Sequence, residues 1–272
     1  MEDRIKRLEE ISLRLRLGTI RALYKAQSGH PGSALSCADL VAALLFDEMS
    51  FTEARWDRFI LSKGHGVTVL YAAFAELGWI EQEELDTLRK LESRLQGHPD
   101  MTRLPYLDAG TGALGQGLSI AIGYALAARL SASKCRAYCI VGDGECQEGQ
   151  IWEAAMYAPA HKLDNLVVII DCNGFQNEGS IEETLPIEPL ARKWRSFGWH
   201  AIEIDGHDFR QILNALDRAR ATRGKPSVII ARTVKGKGVG FMENNSIWHS
   251  RAMSDAEYQD AIKSLKQIYQ AA

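Results

Sequence analysis

The sequence has no long apolar run, no strong charge of one sign and no paired cysteine motif. No stretch approaches the roughly 18 apolar residues that a membrane span requires, and the first twenty residues are too charged for a signal peptide. A formal net charge of −3 does not favour nucleic acid or an anionic membrane as a partner. The cysteines number five and lack a C-x-x-C pair. We therefore expect a cytoplasmic protein with reduced thiols that binds neither membrane nor nucleic acid.

The chain also lacks internal repeats, low-complexity tracts and Pro/Gly-rich linkers, so residues 1–272 are interpreted as one domain. Helices predicted near the N-terminus precede an alternation of strands and helices. Strands are predicted at 58–62, 137–141, 165–171, 198–205 and 226–233, and helices at 5–26, 38–49, 67–77, 117–130, 152–161, 208–222 and 254–269. This order predicts an α/β fold, a doubly wound and mostly parallel sheet with helices on both faces. Ligands of such sheets bind beyond the carboxyl ends of the strands.

A carboxylate stands at one of these strand ends, where Asp143 lies between Gly142 and Gly144 in "GDGE". Burying an unpaired carboxylate costs about several kcal/mol, so this acid needs a partner. Asn173 follows the next strand, and a βαβ unit can bring the two strand ends together. Carboxylate, amide and phosphate oxygens suit Mg²⁺ or Ca²⁺, and glycines let a phosphate approach the backbone. We interpret the pair as a metal-bridged diphosphate site.

Two other interpretations of "GDGE" compete with this one. In most proteins the three residues Gly-Asp-Gly form a simple turn. A dinucleotide site of the Rossmann type is the second alternative, but it requires G-x-G-x-x-G after the first strand. This chain has G-D-G-E-C-Q-E-G instead, and its acid would repel a pyrophosphate unless a metal intervened.

The spacing of "GDG" and Asn173 resembles the thiamine diphosphate fingerprint, and the surrounding motifs resemble those of transketolases. Six motifs occur in the family's order: "SGHPG" (28–32), "DRFILSKGHG" (57–66), "GHPD" (97–100), "TGALGQG" (111–117), "GDGECQEG" (142–149) and "KGKGVGFMENN" with "WHS" (235–250). The resemblance covers nearly the whole chain. It implies the thiamine diphosphate-binding fold and transfer of a two-carbon ketol unit from a ketose phosphate to an aldose phosphate.

The resemblance also implies roles for individual residues. It implies that a divalent metal is bound by Asp143, Asn173 and the backbone carbonyl of Phe175. The metal would be Mg²⁺, or alternatively Ca²⁺ or Mn²⁺. Residues implied to bind thiamine diphosphate are His65, Gly112, Leu114, Gly142, Asp143, Gly144, Glu148, Asn173 and His249. Residues implied to act in catalysis are His30, His65, His98, His249 and Glu148, the last in a carboxylate network between two active sites.

Other polar residues carry no such assignment. His161 and His200 are interpreted as structural, and His207 in "DGHD" as a turn residue. For Lys235 and Lys237 in "VKGKG", contact with a phosphate and a solvated loop are left as equal alternatives. Two positions depart from the family pattern. Ala113 replaces a usual proline, and Gly174 follows Asn173 where relatives have asparagine or lysine, which puts the substrate in question more than the cofactor.

The family resemblance covers only the first of three transketolase domains. The chain therefore resembles the N-terminal subunit of a split transketolase, and an α2β2 heterotetramer with a separate C-terminal subunit is expected. That subunit would bring the pyrimidine-binding and C-terminal domains and most sugar-phosphate contacts. We expect exposed apolar helices, near the N-terminus and after "TGALGQG", to meet it.

Alternatives to this function are an enzyme acting on a different sugar or a 2-oxo substrate, and an inactive cofactor-binding protein. The histidine motifs argue against a 2-oxoacid dehydrogenase, and the short length against a complete 1-deoxyxylulose-5-phosphate synthase. Intact Asp143, Glu148 and Asn173 argue against an inactive relative.

Overall fold

Five parallel strands form the central sheet of the computed structural model, which describes residues 1–270. Residues 271 and 272 of the predicted domain lie outside the described part. The strands in chain order are β1 (Phe51–Thr52), β2 (Arg55–Trp56), β3 (Arg58–Leu61), β4 (Ala137–Gly142), β5 (Leu166–Cys172), β6 (His200–Asp205) and β7 (Ser227–Arg232). The sheet order is β3-β4-β5-β7-β6, while β1 and β2 form a separate antiparallel hairpin. The parallel α/β fold predicted from the sequence is confirmed.

Ten α-helices accompany these strands in the described part of the chain. They are α1 (Glu2–Ala26), α2 (Pro31–Ser36), α3 (Ala38–Ala43), α4 (Val67–Glu76), α5 (Gln116–Leu130), α6 (Gly149–Ala160), α7 (Ile181–Thr184), α8 (Leu190–Ser196), α9 (Phe209–Ala221) and α10 (Asp255–Gln270). The helix predicted at 38–49 is α3 continued by a π-helical turn at Leu44–Glu48. The sequence interpretation missed the β1–β2 hairpin and the short helices α2 and α7, because these segments are too short to show a clear period.

Apolar side chains of the sheet alternate between two cores. On β5, Val167 and Ile169 join the core beneath α1, α3, α4 and α9, whereas Val168 and Ile170 join the core beneath α5, α6 and α8. All four side chains are at most 1% exposed. The strand therefore lacks polar alternation because helices cover both of its faces.

The order of the connections determines which strand ends meet. The chain proceeds from β3 to β4 and β5, passes to the edge strand β6, and returns to place β7 between β5 and β6. Helices α5, α6 and α8 cover one face during the outward path, and α9 covers the other face on the return, as right-handed connections require. The carboxyl ends of β3, β4, β5 and β7 consequently lie side by side.

Helices α5 and α6 carry three of the exposed apolar side chains. Leu130 is 88% exposed, Met156 55% and Tyr157 44%, and the two helices pack against each other. The helices α2, α3 and α4 near the N-terminus are buried almost throughout. The expectation of an exposed apolar surface on those N-terminal helices is therefore wrong, since the sheet and α1 already cover them. Within residues 1–270, no helix is both long and apolar enough to span a membrane.

The first turn of α5 packs directly on the end of β3, and two glycines of this helix allow a matched test. A Cβ atom added to Gly117 would lie 2.4 Å from Ser62 Oγ and 2.7 Å from Ser62 Cα. One added to Gly123 would meet nothing within 4 Å. We expect Gly117→Ala to lower the free energy of unfolding by about 1–3 kcal/mol, because the backbone must move. Gly123→Ala should raise it by up to about 1 kcal/mol through helix propensity.

Urea unfolding of the two variants, followed by circular dichroism, measures both effects. Equal effects of the two substitutions would contradict the close packing of α5 on β3.

Candidate active site

A cavity of about 520 Å³ opens at the carboxyl ends of the parallel strands. All twelve residues singled out from the sequence line it, namely His30, His65, His98, Gly112, Leu114, Gly142, Asp143, Gly144, Glu148, Asn173, Phe175 and His249. They come from seven separate segments of the chain. The structure thus brings the candidate residues together, while the role of each one remains a prediction.

Asp143 and Asn173 extend from neighbouring strand ends. Gly142 at the end of β4 pairs with Asp171 on β5, so the residues that follow both strands lie at one edge. Asp143 Oδ1 accepts a hydrogen bond from the Gly144 amide at 2.8 Å, and Oδ2 accepts one from the Gly174 amide at 2.5 Å. The carboxylate therefore connects the two loops. A diphosphate at the Gly144 amide would have to share or displace the first of these bonds.

The Asp143 carboxyl group is only 3% exposed, and its charge is poorly compensated. Burial raises its pKa to about 7, and the nearby Asp171 adds to the effect, although the amides of Gly174 and Gly144 and the Lys63 ammonium act in the opposite direction. A cation placed against the carboxylate would remove this cost. The floor of the cavity is therefore electrostatically suited to a metal ion.

Asn173 is held with its carboxamide in a defined orientation. Its Nδ2 donates to Asp171 Oδ2 at 3.3 Å, and its Oδ1 accepts from the Phe175 amide at 3.1 Å. In residues 1–270, no group of three or more His, Cys, Asp and Glu side chains is arranged to hold a metal ion. The predicted ligand set is of another kind, because it combines one carboxylate, one carboxamide and one backbone carbonyl.

Four histidine rings form a cluster in the cavity. The ring centroid of His30 lies 5.3 Å from that of His65, 6.0 Å from that of His98 and 5.6 Å from that of His249. His65 and His249 stack at 5.2 Å. The Nδ1 atom of His30 is buried and has no hydrogen-bond partner within the described chain. An orphaned polar atom beside a cavity fits a ligand oxygen or a water molecule.

The clustered histidines are neutral at physiological pH. Burial lowers the pKa of His30 and of His249 to about 4, and neighbouring cationic groups contribute to this lowering. Burial also lowers the pKa of His65, well below its ordinary value, and that of His98. Neutral imidazoles each offer one donor and one acceptor, so the cluster can bind hydroxyl groups and accept protons.

Two of the predicted site residues, Leu114 and Glu148, have exposed side chains, whereas Gly112 is half-buried. Leu114 is 37% exposed, and Glu148 is also exposed at the start of α6. Gly112 approaches His98 so closely that an added Cβ atom would lie 2.7 Å from the imidazole ring. The side chains of Leu114 and Glu148 are accessible to a second protein.

A buried ion pair, whose lysine also lines the cavity, was missed by the sequence analysis. Lys63 Nζ lies 2.5 Å from Asp171 Oδ2, and both side chains are at most 1% exposed. Lys63 also donates to the carbonyl oxygen of Ser33 at 2.7 Å, while Ser36 and Thr233 donate to the Asp171 carboxylate. Burial alone would raise the pKa of Asp171, but the ammonium and the hydrogen bonds outweigh it and lower that pKa. The pair is therefore charged.

Glu145 is a second residue that the sequence analysis missed. This carboxylate is 2% exposed and accepts hydrogen bonds from Ser62 Oγ at 2.5 Å and from the amides of Gly115 and Gly142 at 2.9 and 3.0 Å. It thereby joins the end of β3, the start of α5 and the end of β4. Its place directly after "GDG" was the only sequence signal for this role.

The remaining histidines have structural contacts. His207 bridges two loops, because its Nδ1 donates to Asp39 Oδ2 at 2.6 Å and its Nε2 accepts from the Val234 amide at 2.9 Å. His200 bonds to Thr222, and His161 stacks on Tyr157. None of these three histidines lines the cavity.

The two buried lysines of the site provide a matched prediction. Lys63→Met would leave the Asp171 carboxylate buried without its partner, so we expect a loss of about 3–5 kcal/mol in the free energy of unfolding. Lys235 is also 1% exposed, but no ion pair with a carboxylate is found for it in the described chain. Burial lowers its pKa to about 8. Burying an ammonium without a carboxylate partner is itself costly. Lys235→Met should therefore lower the free energy of unfolding only slightly, or raise it.

Urea denaturation of the ligand-free chain at pH 7 compares the two variants directly. A loss for Lys235→Met as large as that for Lys63→Met would contradict the assignment of the ion pair as the stabilising contact.

Comparisons with known proteins agree with this geometry. The family model for the transketolase thiamine diphosphate binding domain matches residues 9–270. A 6-deoxy-6-sulfo-D-fructose transketolase subunit from Clostridium sp. strain MSTE9 is 42% identical over 91% of this chain and 92% of its own length. One of the subunits of the apulose-4-phosphate transketolase of Phocaeicola vulgatus is 38% identical over 97% of this chain and 95% of its own length.

Other relatives are much longer than this chain. Human transketolase is 38% identical over 93% of the chain, which covers only 41% of that enzyme. The crystal structure of Campylobacter jejuni transketolase superimposes with a TM-score of 0.88 at 32% identity, over 97% of this chain and 42% of that one. The chain thus spans about two fifths of these longer transketolases. From the family match, the cavity and these likenesses, the chain belongs to the transketolase family as a thiamine diphosphate binding domain.

Proposed function

We propose that the chain is the diphosphate-binding subunit of a split transketolase, which transfers a two-carbon ketol unit from a ketose phosphate to an aldose phosphate. The observation that carries the proposal is the single cavity in which Asp143 and Asn173 lie with four neutral histidines. The two relatives matched over more than nine tenths of their length are both named as transketolase subunits, which supports the same function.

Mg²⁺, or Ca²⁺ or Mn²⁺ in its place, would be held by the Asp143 carboxylate, the Asn173 carboxamide and the Phe175 carbonyl. The raised pKa of buried Asp143 and the unpartnered His30 Nδ1 support a site that a charged cofactor completes. Gly142 and Gly144 would lie beside the diphosphate, and Gly112 and Leu114 beside the aminopyrimidine. When bound, thiamine diphosphate supplies the nucleophilic carbon on which carbon–carbon bonds are cleaved and formed.

The protein's own side chains would then bind and orient the sugar. His30 and His98 would hydrogen-bond its hydroxyl groups, while His65 and His249 would lie nearer the diphosphate and the reacting carbon. Their lowered pKa values keep all four unprotonated near neutral pH, so each ring offers one donor and one acceptor to the sugar. The exposed Glu148 would meet carboxylates of a partner subunit.

A separate C-terminal subunit would complete the active site in an α2β2 heterotetramer. It would bring the pyrimidine-binding domain, the C-terminal domain and most contacts to the sugar phosphate. The exposed apolar side chains Leu130 on α5 and Met156 and Tyr157 on α6 are candidates for contact with that partner. We place the assembly in the cytoplasm, which accords with five cysteines that form no disulfide.

The metal assignment predicts a pH-dependent loss of binding. We expect Asp143→Ala to abolish Mg²⁺-dependent binding of thiamine diphosphate, because the charged ligand is removed. In the unchanged chain, a proton on Asp143 competes with the metal, so affinity should fall as the pH decreases below about 7. The expected fall is about tenfold in Kd for each pH unit. Isothermal titration calorimetry with and without Mg²⁺ measures both effects.

Asp164→Ala is a suitable control, since Asp164 lies outside the cavity lining. Normal Mg²⁺-dependent binding by Asp143→Ala would show that the metal assignment is wrong. The calorimetry uses the chain together with its partner subunit if the chain alone does not bind the cofactor.

The activity itself is tested by ketol transfer from xylulose 5-phosphate to ribose 5-phosphate with thiamine diphosphate and Mg²⁺. We expect no activity from this chain alone and activity after co-purification with the product of a neighbouring gene. Two further donors, 6-deoxy-6-sulfo-D-fructose and apulose 4-phosphate, belong in the same assay, because the relatives of matching length carry those sugars in their names. A complex that binds the cofactor but transfers no ketol unit from any of the three would contradict these substrates.

A further inference from the structure

The two lysines of "VKGKG" lie in different environments. Lys235 is 1% exposed and lines the cavity, whereas Lys237 is partly exposed and does not line it. Sequence reasoning left contact with a phosphate and a solvated loop as alternatives for both. The structure separates them, and only Lys235 lies close to the clustered histidines.

Lys235 is held by contacts along its whole length. Its stem lies against Gly32, where an added Cβ atom would come within 3.0 Å of Lys235 Cγ and 3.1 Å of Cε. Its ammonium lies 2.9 Å from His249 Nδ1 and donates to the carbonyl oxygen of Gln176 at 3.4 Å. The short contact to His249 is therefore the main polar contact of a confined and buried side chain.

The chemistry of this contact defines the proton positions on His249. A lysine ammonium has three donors and no acceptor, so the nitrogen it meets must accept. A neutral imidazole that accepts at Nδ1 carries its single proton at Nε2. Burial and the adjacent Lys235 lower the pKa of His249 to about 4, which keeps the ring neutral.

Neighbouring rings also restrict the orientation of the His249 imidazole. His65 stacks on His249 with 27° between the ring planes, and the edge of His30 meets it at 90°. Two rings and one ammonium thus limit the rotation of His249 within the cavity. With Nδ1 occupied, Nε2–H is the polar group of the ring that remains for a ligand.

We propose that Lys235 is a positioning residue that fixes His249 as the neutral Nε2–H tautomer and so makes it a hydrogen-bond donor to an oxygen atom of the bound ligand. The tautomer follows from this chain alone. Only the identity of the ligand, a sugar or a diphosphate, depends on the proposed function.

The test measures the ring nitrogens of His249 directly by two-bond ¹H–¹⁵N spectroscopy on the ligand-free chain at pH 7. Labelled histidine supplies the signals, and the variant His249→Gln assigns them. We expect an unprotonated Nδ1 and a protonated Nε2 in the unchanged protein. Lys235→Met should shift the Nδ1 signal and produce a population with the proton on Nδ1, whereas Lys237→Met, in the same loop, should leave both signals unchanged.

Two outcomes would overturn the proposal. One is a proton mainly on Nδ1 in the unchanged protein, which needs no variant and is decisive even if Lys235→Met fails to fold. The other is a folded Lys235→Met chain whose His249 signals equal those of the unchanged protein. Absence of ketol transfer would overturn the proposed function and leave this result standing, so the two failures are distinguishable.

Discussion

The buried ion pair between Lys63 and Asp171 is the contact on which the site depends. Lys63 follows β3 and Asp171 lies on β5, so the pair bridges two strands that are separated by β4. Hydrogen bonds from Ser36 of α2 and from Thr233 after β7 end on the same carboxylate. Four segments that carry cavity residues are therefore fixed to one pair of charges. Removing either charge would leave the other buried without compensation.

Two kinds of buried charge thus occur in the same site. The Lys63–Asp171 pair is satisfied within the protein, and its members keep their charges because each stabilises the other. At the cavity floor, burial raises the pKa of Asp143 to about 7 and lowers that of Lys235 to about 8. These two groups are costly in the ligand-free chain. A metal ion against the acid and an anion near the ammonium would relieve both costs, which is the arrangement expected of a preorganised binding site.

The sequence predicted the residues that local motifs mark, and it missed those that act through distant contacts. Asp143 and Asn173 were identified because glycine turns follow apolar strands, and the histidines because their motifs resemble those of transketolases. Lys63 and Asp171 are 108 positions apart, and no spacing along the chain indicates that they meet. Lys235 and Lys237 share one short motif, so their different burial depends on packing against Gly32, which only the fold determines.

Gly174 illustrates how a departure from a family pattern acquires a physical meaning. Its φ of +79° lies in the left-handed region, and an added Cβ atom would meet nothing within 4 Å. Backbone conformation, and not space, therefore selects the residue, and asparagine is among the few other residues that adopt this region readily. The Gly174 amide donates to Asp143 Oδ2, so the loop conformation sets the position of the carboxylate. Glycine in place of asparagine preserves that conformation and, through the Gly174 amide, the position of the Asp143 carboxylate.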